Sequence, residues 1–186
     1  MSTLSRAGLT LALLAGFVAL GNYAVTAQVK GNDNNISVMD DCLPGDPAWN
    51  PTGGCTLKPH EGDVPNAEFG ALLRSPLAAI GGVPFLVGHP SWRNEPSHLT
   101  VNPGKTVRVT NHGGRGHTFT EVANFGGGFI RVLNVGMTPA PECMSTTNRP
   151  IPLAPGATIE LTATGPGLHK FECCIHPWMR ATIRVE

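Results

Sequence analysis

Hydrophobic and polar residues alternate over short stretches in the C-terminal half of the chain. Thr106-Val-Arg-Val-Thr110 sets Val107 and Val109 against polar neighbours, the period of a half-buried strand. His98 to Val101, His117 to Val122, Thr158 to Thr162, Leu168 to Cys173 and Arg180 to Val185 read the same way, the last with Ala181, Ile183 and Val185 in phase. Pro103-Gly104 turns the chain between the first two strands. A glycine- and proline-rich connection runs from Asn124 to Pro155, with Phe129 to Val135 as a candidate further strand. Short strands at this spacing predict an all-β fold, a Greek-key β-sandwich of about 100 residues.

A helical period occurs once ahead of these strands. Ala67 to Arg74 puts Phe69, Leu72 and Leu73 on one face, with Pro65 before it and Pro76 beyond. Cys42 to Cys55 encloses Pro44-Gly45, Asp46-Pro47 and Gly53-Gly54, a turn-dense stretch whose ends can meet in a looped disulfide. Gln28 to Asp41 is polar and is expected to be a flexible leader. Residues 28–84 therefore read as an N-terminal extension that packs on the main domain, because it lacks the apolar residues for a core of its own. The main domain is expected to span 85–186.

The chain opens with Arg6, an apolar run from Ala7 to Leu20 and the small-x-small site Val25-Thr26-Ala27. This is the pattern of a signal peptide over residues 1–27. An uncleaved anchor is the competing reading, since Ala7 to Val25 is 19 mostly apolar residues and about 20 span a bilayer. Gly16, Gly21, Asn22 and Tyr23 interrupt that run and favour cleavage. The expected location is the periplasm or the exterior, with membrane attachment only if the segment is retained.

Composition narrows the function classes. Lys and Arg number 13 against 13 Asp and Glu, and without Arg6 the mature chain has 12 against 13. With no basic stripe, a nucleic-acid partner is set aside. Among 186 residues, 41% hydrophobic, one core is sufficient. The chain is expected to be a monomer.

The cysteines carry the chemistry. Cys42, Cys55, Cys143, Cys173 and Cys174 are five, and an odd count in an oxidising compartment leaves one thiol that a metal would protect. Phe171-Glu-Cys-Cys-Ile-His-Pro-Trp-Met179 sets Cys173, His176 and Met179 in a C-x-x-H-x-x-M array. His117, 56 residues upstream of Cys173, is placed to return beside it. Two His, one Cys and a weak axial Met describe a mononuclear electron-transfer copper, whereas structural zinc seldom recruits Met. Along the strand ending at Cys173, Phe171 and Cys173 share the inward face, so Cys173 is the expected ligand and Cys174 is expected near the surface. Four cysteines allow three connectivities; Cys42–Cys55 with Cys143–Cys174 is the pairing hypothesised. His60, His89, His98, His112 and His169 share no ligand-spaced cluster and are expected as surface or capping groups.

Three segments in order resemble the cupredoxin family, the amicyanin and plastocyanin type. They are Val101-Asn-Pro-Gly-Lys-Thr-Val-Arg-Val-Thr-Asn111, Gly116-His117, and the loop from Phe171 through Met179 to Arg180. The resemblance covers about Pro84 to Glu186. It implies one copper ion cycling between Cu(I) and Cu(II), with the solvent-facing edge of His176 as the electron port. Thr118 departs from the Asn that the family often has behind the first His, and Cys174 is an unusual neighbour of the thiolate. Multicopper oxidases carry His on both sides of the copper Cys, where this chain has Glu172 and Cys174. The binuclear copper site needs two Cys separated by three residues. The expectation is therefore a carrier of single electrons between redox partner proteins and not an enzyme, the alternative being a protein that stores or delivers copper.

Overall fold

The computed structural model describes residues 34–75 and 88–186. The expected signal peptide and the boundary near residue 84 lie outside the described residues. The strands are β1 (Asn35–Met39), β2 (Arg93–Glu95), β3 (His98–Val101), β4 (Thr106–Asn111), β5 (His117–Thr118), β6 (Thr120–Val122), β7 (Pro152–Leu153), β8 (Thr158–Thr162), β9 (Gly167–Glu172) and β10 (Arg180–Val185). The helix α1 is Asn66–Leu73.

Two sheets form a β-sandwich. The first runs β2-β1-β4-β8 and the second β3-β10-β9-β6, while β5 pairs with β7. The alternation seen in the sequence fills the space between them. Ile36, Val38, Val107 and Val109 point inward from the first sheet, and Leu99, Val101, Phe171, Ala181, Ile183 and Val185 from the second. Phe119 stacks on Phe171 with ring centroids 4.7 Å apart. No helix among the described residues is long and apolar enough to cross a membrane.

Three expectations are corrected. Asn35 to Met39, read as part of a flexible leader, is an inner strand, parallel to β4 with Ile36 opposite Val109 and antiparallel to β2. Its apolar Ile36 and Val38 are buried between less apolar neighbours, and the alternation outweighs the polar composition. The strand expected over His117 to Val122 is broken at Phe119, giving β5 and β6. Phe129 to Val135 contains a 3-10 turn at Arg131–Leu133 in place of a strand, and Val132 is 71% exposed.

Cys42 is bonded to Cys55 and Cys143 to Cys174, and Cys173 is free. Cys174, expected near the surface, is buried. The glycine-rich loop lies directly over it: Phe129 N donates to Cys174 O at 2.9 Å, and a Cβ on Gly128 would overlap the Cys174 carbonyl.

Candidate metal centre

The chain brings His117, Cys173 and His176 to one end of the sandwich. β5 delivers His117, the end of β9 delivers Cys173, and the loop into β10 delivers His176. That loop is a closed turn, since Met179 N donates to His176 O at 2.9 Å and Cys173 N to Met179 O at 3.0 Å. Met179 is thereby drawn into the core and is fully buried.

One ligand atom from each of His117, Cys173 and His176 lies within 4.8 Å of the others. Cys173 Sγ is 3.8 Å from His117 Nδ1 and 3.7 Å from His176 Nδ1, and the two Nδ1 atoms are 3.2 Å apart. Three soft-to-borderline donors thus converge in a dry space, with a thioether on the same turn. Burial alone would raise the Cys173 thiol, but the two imidazoles override it and hold the group well below its usual range. Burial holds His176 below its ordinary value, favouring the neutral ring. Burial lowers His117 too, but its hydrogen bonds to Asp40 and Cys173 outweigh that and push it up to about 9, so a metal bound there displaces a proton. A thiolate with two imidazole nitrogens fits one copper ion.

Thr118 ties the sulfur to its surroundings. Its backbone N–H donates to Cys173 Sγ at 3.4 Å, and its hydroxyl accepts from Cys174 N at 2.7 Å. The residue that departs from the family pattern therefore fixes both neighbouring cysteines. Glu172 turns away from the centre, accepting from Gly126 N at 2.9 Å, and burial pushes its carboxyl up to about 7.

Behind His117 stands a residue that the sequence did not single out. Asp40, just after β1, accepts a hydrogen bond from His117 Nε2 at 2.7 Å, both side chains being fully buried. The loop Asn111 to His117 is clamped to the same segment. Asn111 Nδ2 donates to Arg115 O at 2.7 Å, and Arg115 reaches Gly54 O at 2.6 Å and Thr52 O at 2.8 Å with its guanidinium 4.5 Å over the Trp49 ring.

The solvent-facing port expected at His176 is corrected. His176 is only 4% exposed. Phe69 of α1 stands edge-on to it with centroids 6.5 Å apart, and Trp178 packs at 5.5 Å. Trp49 and Trp92 back Phe69 at 5.3 and 4.5 Å. Gly88 seals the far side, where a Cβ would overlap the Trp178 ring. His89, expected as a surface or capping group, is buried in this cluster, stacked on Phe69 at 5.8 Å, and caps a turn by accepting from Ser91 N at 3.2 Å. His60, His98 and His169 do lie at the surface, bonded to Asp63, Thr182 and Glu121.

No protein-family model matches the chain. Two curated phosphoglycerate kinases, from Methylorubrum extorquens (strain PA1) and Methylorubrum populi, are each 27% identical over 128 residues, covering 64% of this chain and 32% of theirs. The chain spans about a third of the length of these curated relatives. Among solved structures it is similar to a purple cupredoxin from Nitrosopumilus maritimus, 19% identical over 53% of this chain and 86% of that one, with a TM-score of 0.36. It is also similar to a reduced Cu(I) form of an amicyanin mutant, 26% identical over 50% of this chain and 73% of that one, with a TM-score of 0.35.

Proposed function

We propose that the chain is a mononuclear blue-copper protein of the cupredoxin type, exported from the cytoplasm, that carries single electrons between partner proteins. His117, Cys173 and His176 would hold the ion, with the Met179 thioether as a weaker fourth donor. The observation that carries this reading is the buried convergence of a thiolate and two imidazole nitrogens within 4.8 Å. Bound there, copper supplies a one-electron couple. The chain's own part is to hold the donors fixed, keep water out and hydrogen-bond the sulfur from Thr118 N.

Several features support a carrier over a protein that surrenders its metal or an enzyme. The burial of all three donors gives a recipient no exposed ligand to capture. The flanks of Cys173 are a disulfide cysteine and a carboxylate bonded to a backbone amide, which offer no further imidazole. Nor do the kinase relatives supply a phosphate loop: the amides of Gly126, Gly127 and Gly128 already donate to Glu172, Thr138 and Asn134.

The test is copper loading of the mature protein. Cu(II) should give an intense thiolate-to-copper visible band, bleached by dithionite and restored by ferricyanide. Cys173→Ser should abolish the band, while Cys174→Ser should keep it and free one thiol at Cys143. A colourless protein carrying stoichiometric zinc would overturn the reading.

A further inference from the structure

We propose that Asp40 is a positioning residue of the metal centre, its carboxylate fixing the tautomer and direction of the His117 ring and biasing the centre toward Cu(II). The inference rests on the copper reading above and concerns a residue 77 positions upstream of the ligand it acts through.

The carboxylate is held as firmly as the ring it holds. Oδ1 accepts from Gly114 N at 3.0 Å and Cys42 N at 3.4 Å, and Oδ2 accepts from Arg115 N at 3.1 Å and His117 Nε2 at 2.7 Å. An acceptor-only group facing Nε2 requires the proton on that nitrogen. Nδ1, which faces Cys173 and His176, is then the nitrogen left for the metal, and any proton it carries leaves as the ion binds. The ring keeps one direction, and Nε2 keeps its proton on Asp40.

The chain has made room for this contact. A Cβ on Gly113 would overlap the Asp40 carboxylate, and one on Gly114 would come within 2.6 Å of Cys42 Sγ and 2.8 Å of Cys55 Sγ. Gly113-Gly114 therefore lets the ligand loop press its amides onto Asp40. The charge is also aimed at the ring. Among the described residues the ion-pair partner of Asp40 is His117, since the Arg115 guanidinium is spent on Gly54, Thr52 and Trp49.

A carboxylate behind a ligating imidazole raises the basicity of the nitrogen that faces the metal. A more basic donor stabilises the more highly charged ion, so Asp40 favours Cu(II) over Cu(I). A neutral residue in its place removes the bias.

The experiment compares wild type with Asp40→Asn and Gly113→Ala, all loaded with copper. In Asp40→Asn the Cu(I) to Cu(II) ratio at fixed ambient potential should rise about tenfold, an upward shift of about 59 mV for one electron. Gly113→Ala keeps the charge but displaces the carboxylate, and should shift the ratio the same way by a smaller factor. In the Cu(I) state, proton NMR of wild type should show a deshielded, slowly exchanging His117 Nε2–H that both variants weaken. If Asp40→Asn does not fold, Gly113→Ala alone decides. A coloured wild type whose folded variants keep its potential and its Nε2–H signal, losing only thermal stability, would make Asp40 a structural residue and overturn this inference alone. A wild type without the thiolate-to-copper band would overturn the copper reading and this inference with it.

Discussion

The two histidines of the centre are equally hidden, but by opposite chemistry. His117 is backed by a charge, the Asp40 carboxylate at 2.7 Å. His176 is roofed by hydrocarbon, with Phe69 and Trp178 over it and Trp49 and Trp92 behind. A charge acts on the relative stability of the two oxidation states, because its field reaches the ion through the ring. An aromatic roof acts on access, because it excludes water and lengthens the path to a partner. Asp40, Trp49 and Phe69 all precede residue 76. The segment read as an extension therefore supplies the potential-setting group on one side and much of the insulation on the other.

Removing the roof should give the largest effect. Phe69→Ala deletes a buried ring packed on three tryptophans and two histidines, and large-to-small changes of this kind cost about 3–5 kcal/mol. Urea unfolding should show that loss. At the same time His176 should gain solvent, and electron self-exchange, read from NMR line broadening in half-oxidised samples, should quicken while the potential moves less than in Asp40→Asn. If self-exchange stayed as slow as in wild type, Phe69 would not be what insulates His176, and Trp178 at 5.5 Å would carry the cover.

How far the sequence revealed this arrangement depends on whether the signal was local. Val107, Val109, Ala181, Ile183 and Val185 announced their strands through period-two alternation, and the structure buries each of them. Cys173 and His176 were legible because their spacing is set within one turn, and the upstream His117 because it follows a Gly. Asp40 carried no such signal. It lies in a polar stretch whose strand, Asn35–Met39, offers two buried apolar residues in phase, and its role depends on a pairing with β4 across 73 positions of sequence. The one usable clue was Gly113-Gly114 just before the ligand, a pair needed where another backbone or side chain approaches closely. The roof over His176 was missed because the family resemblance begins near Pro84 and says nothing of α1. Cys174 was misplaced because alternation of faces was extended two residues beyond the end of β9 at Glu172.

Met179 tests the same side of the centre as His176 with a smaller expected cost. Met179→Leu nearly conserves volume at a fully buried position, so stability should fall by less than about 1.5 kcal/mol. Copper and colour should survive, because the thioether of such a site is a weak, long contact. The potential should rise, since losing a donor favours Cu(I). The double variant Asp40→Asn with Met179→Leu then shows whether the two act on the couple independently, a shift close to the sum meaning that they do. An unchanged potential and spectrum in Met179→Leu would leave Met179 as packing only.

The smallest effect is expected at His169, where the same kind of pair is exposed to solvent. His169 Nδ1 lies 2.7 Å from Glu121 Oε1, as close as His117 lies to Asp40, and Nε2 donates to Gly165 O at 2.8 Å. The Glu121 and Gly165 hydrogen bonds raise the His169 pKa above its ordinary 6.5. A group raised on folding adds stability that is fully present below its unfolded pKa and is lost as pH rises through the folded one. His169→Gln should therefore lower stability by about 0.2–1 kcal/mol near pH 5.5, the range for exposed pairs, and the gap should close by pH 9. Denaturant unfolding of the copper-free proteins at the two pH values measures it, with groups shared by both proteins cancelling in the difference. Salt should shrink the His169 effect but leave the potential shift of Asp40→Asn in place, because only the first pair is bathed in mobile ions. A gap at His169 that persisted at pH 9 or in high salt would mean that the ring acts there by packing, and that contact distance, and not burial, separates the two pairs.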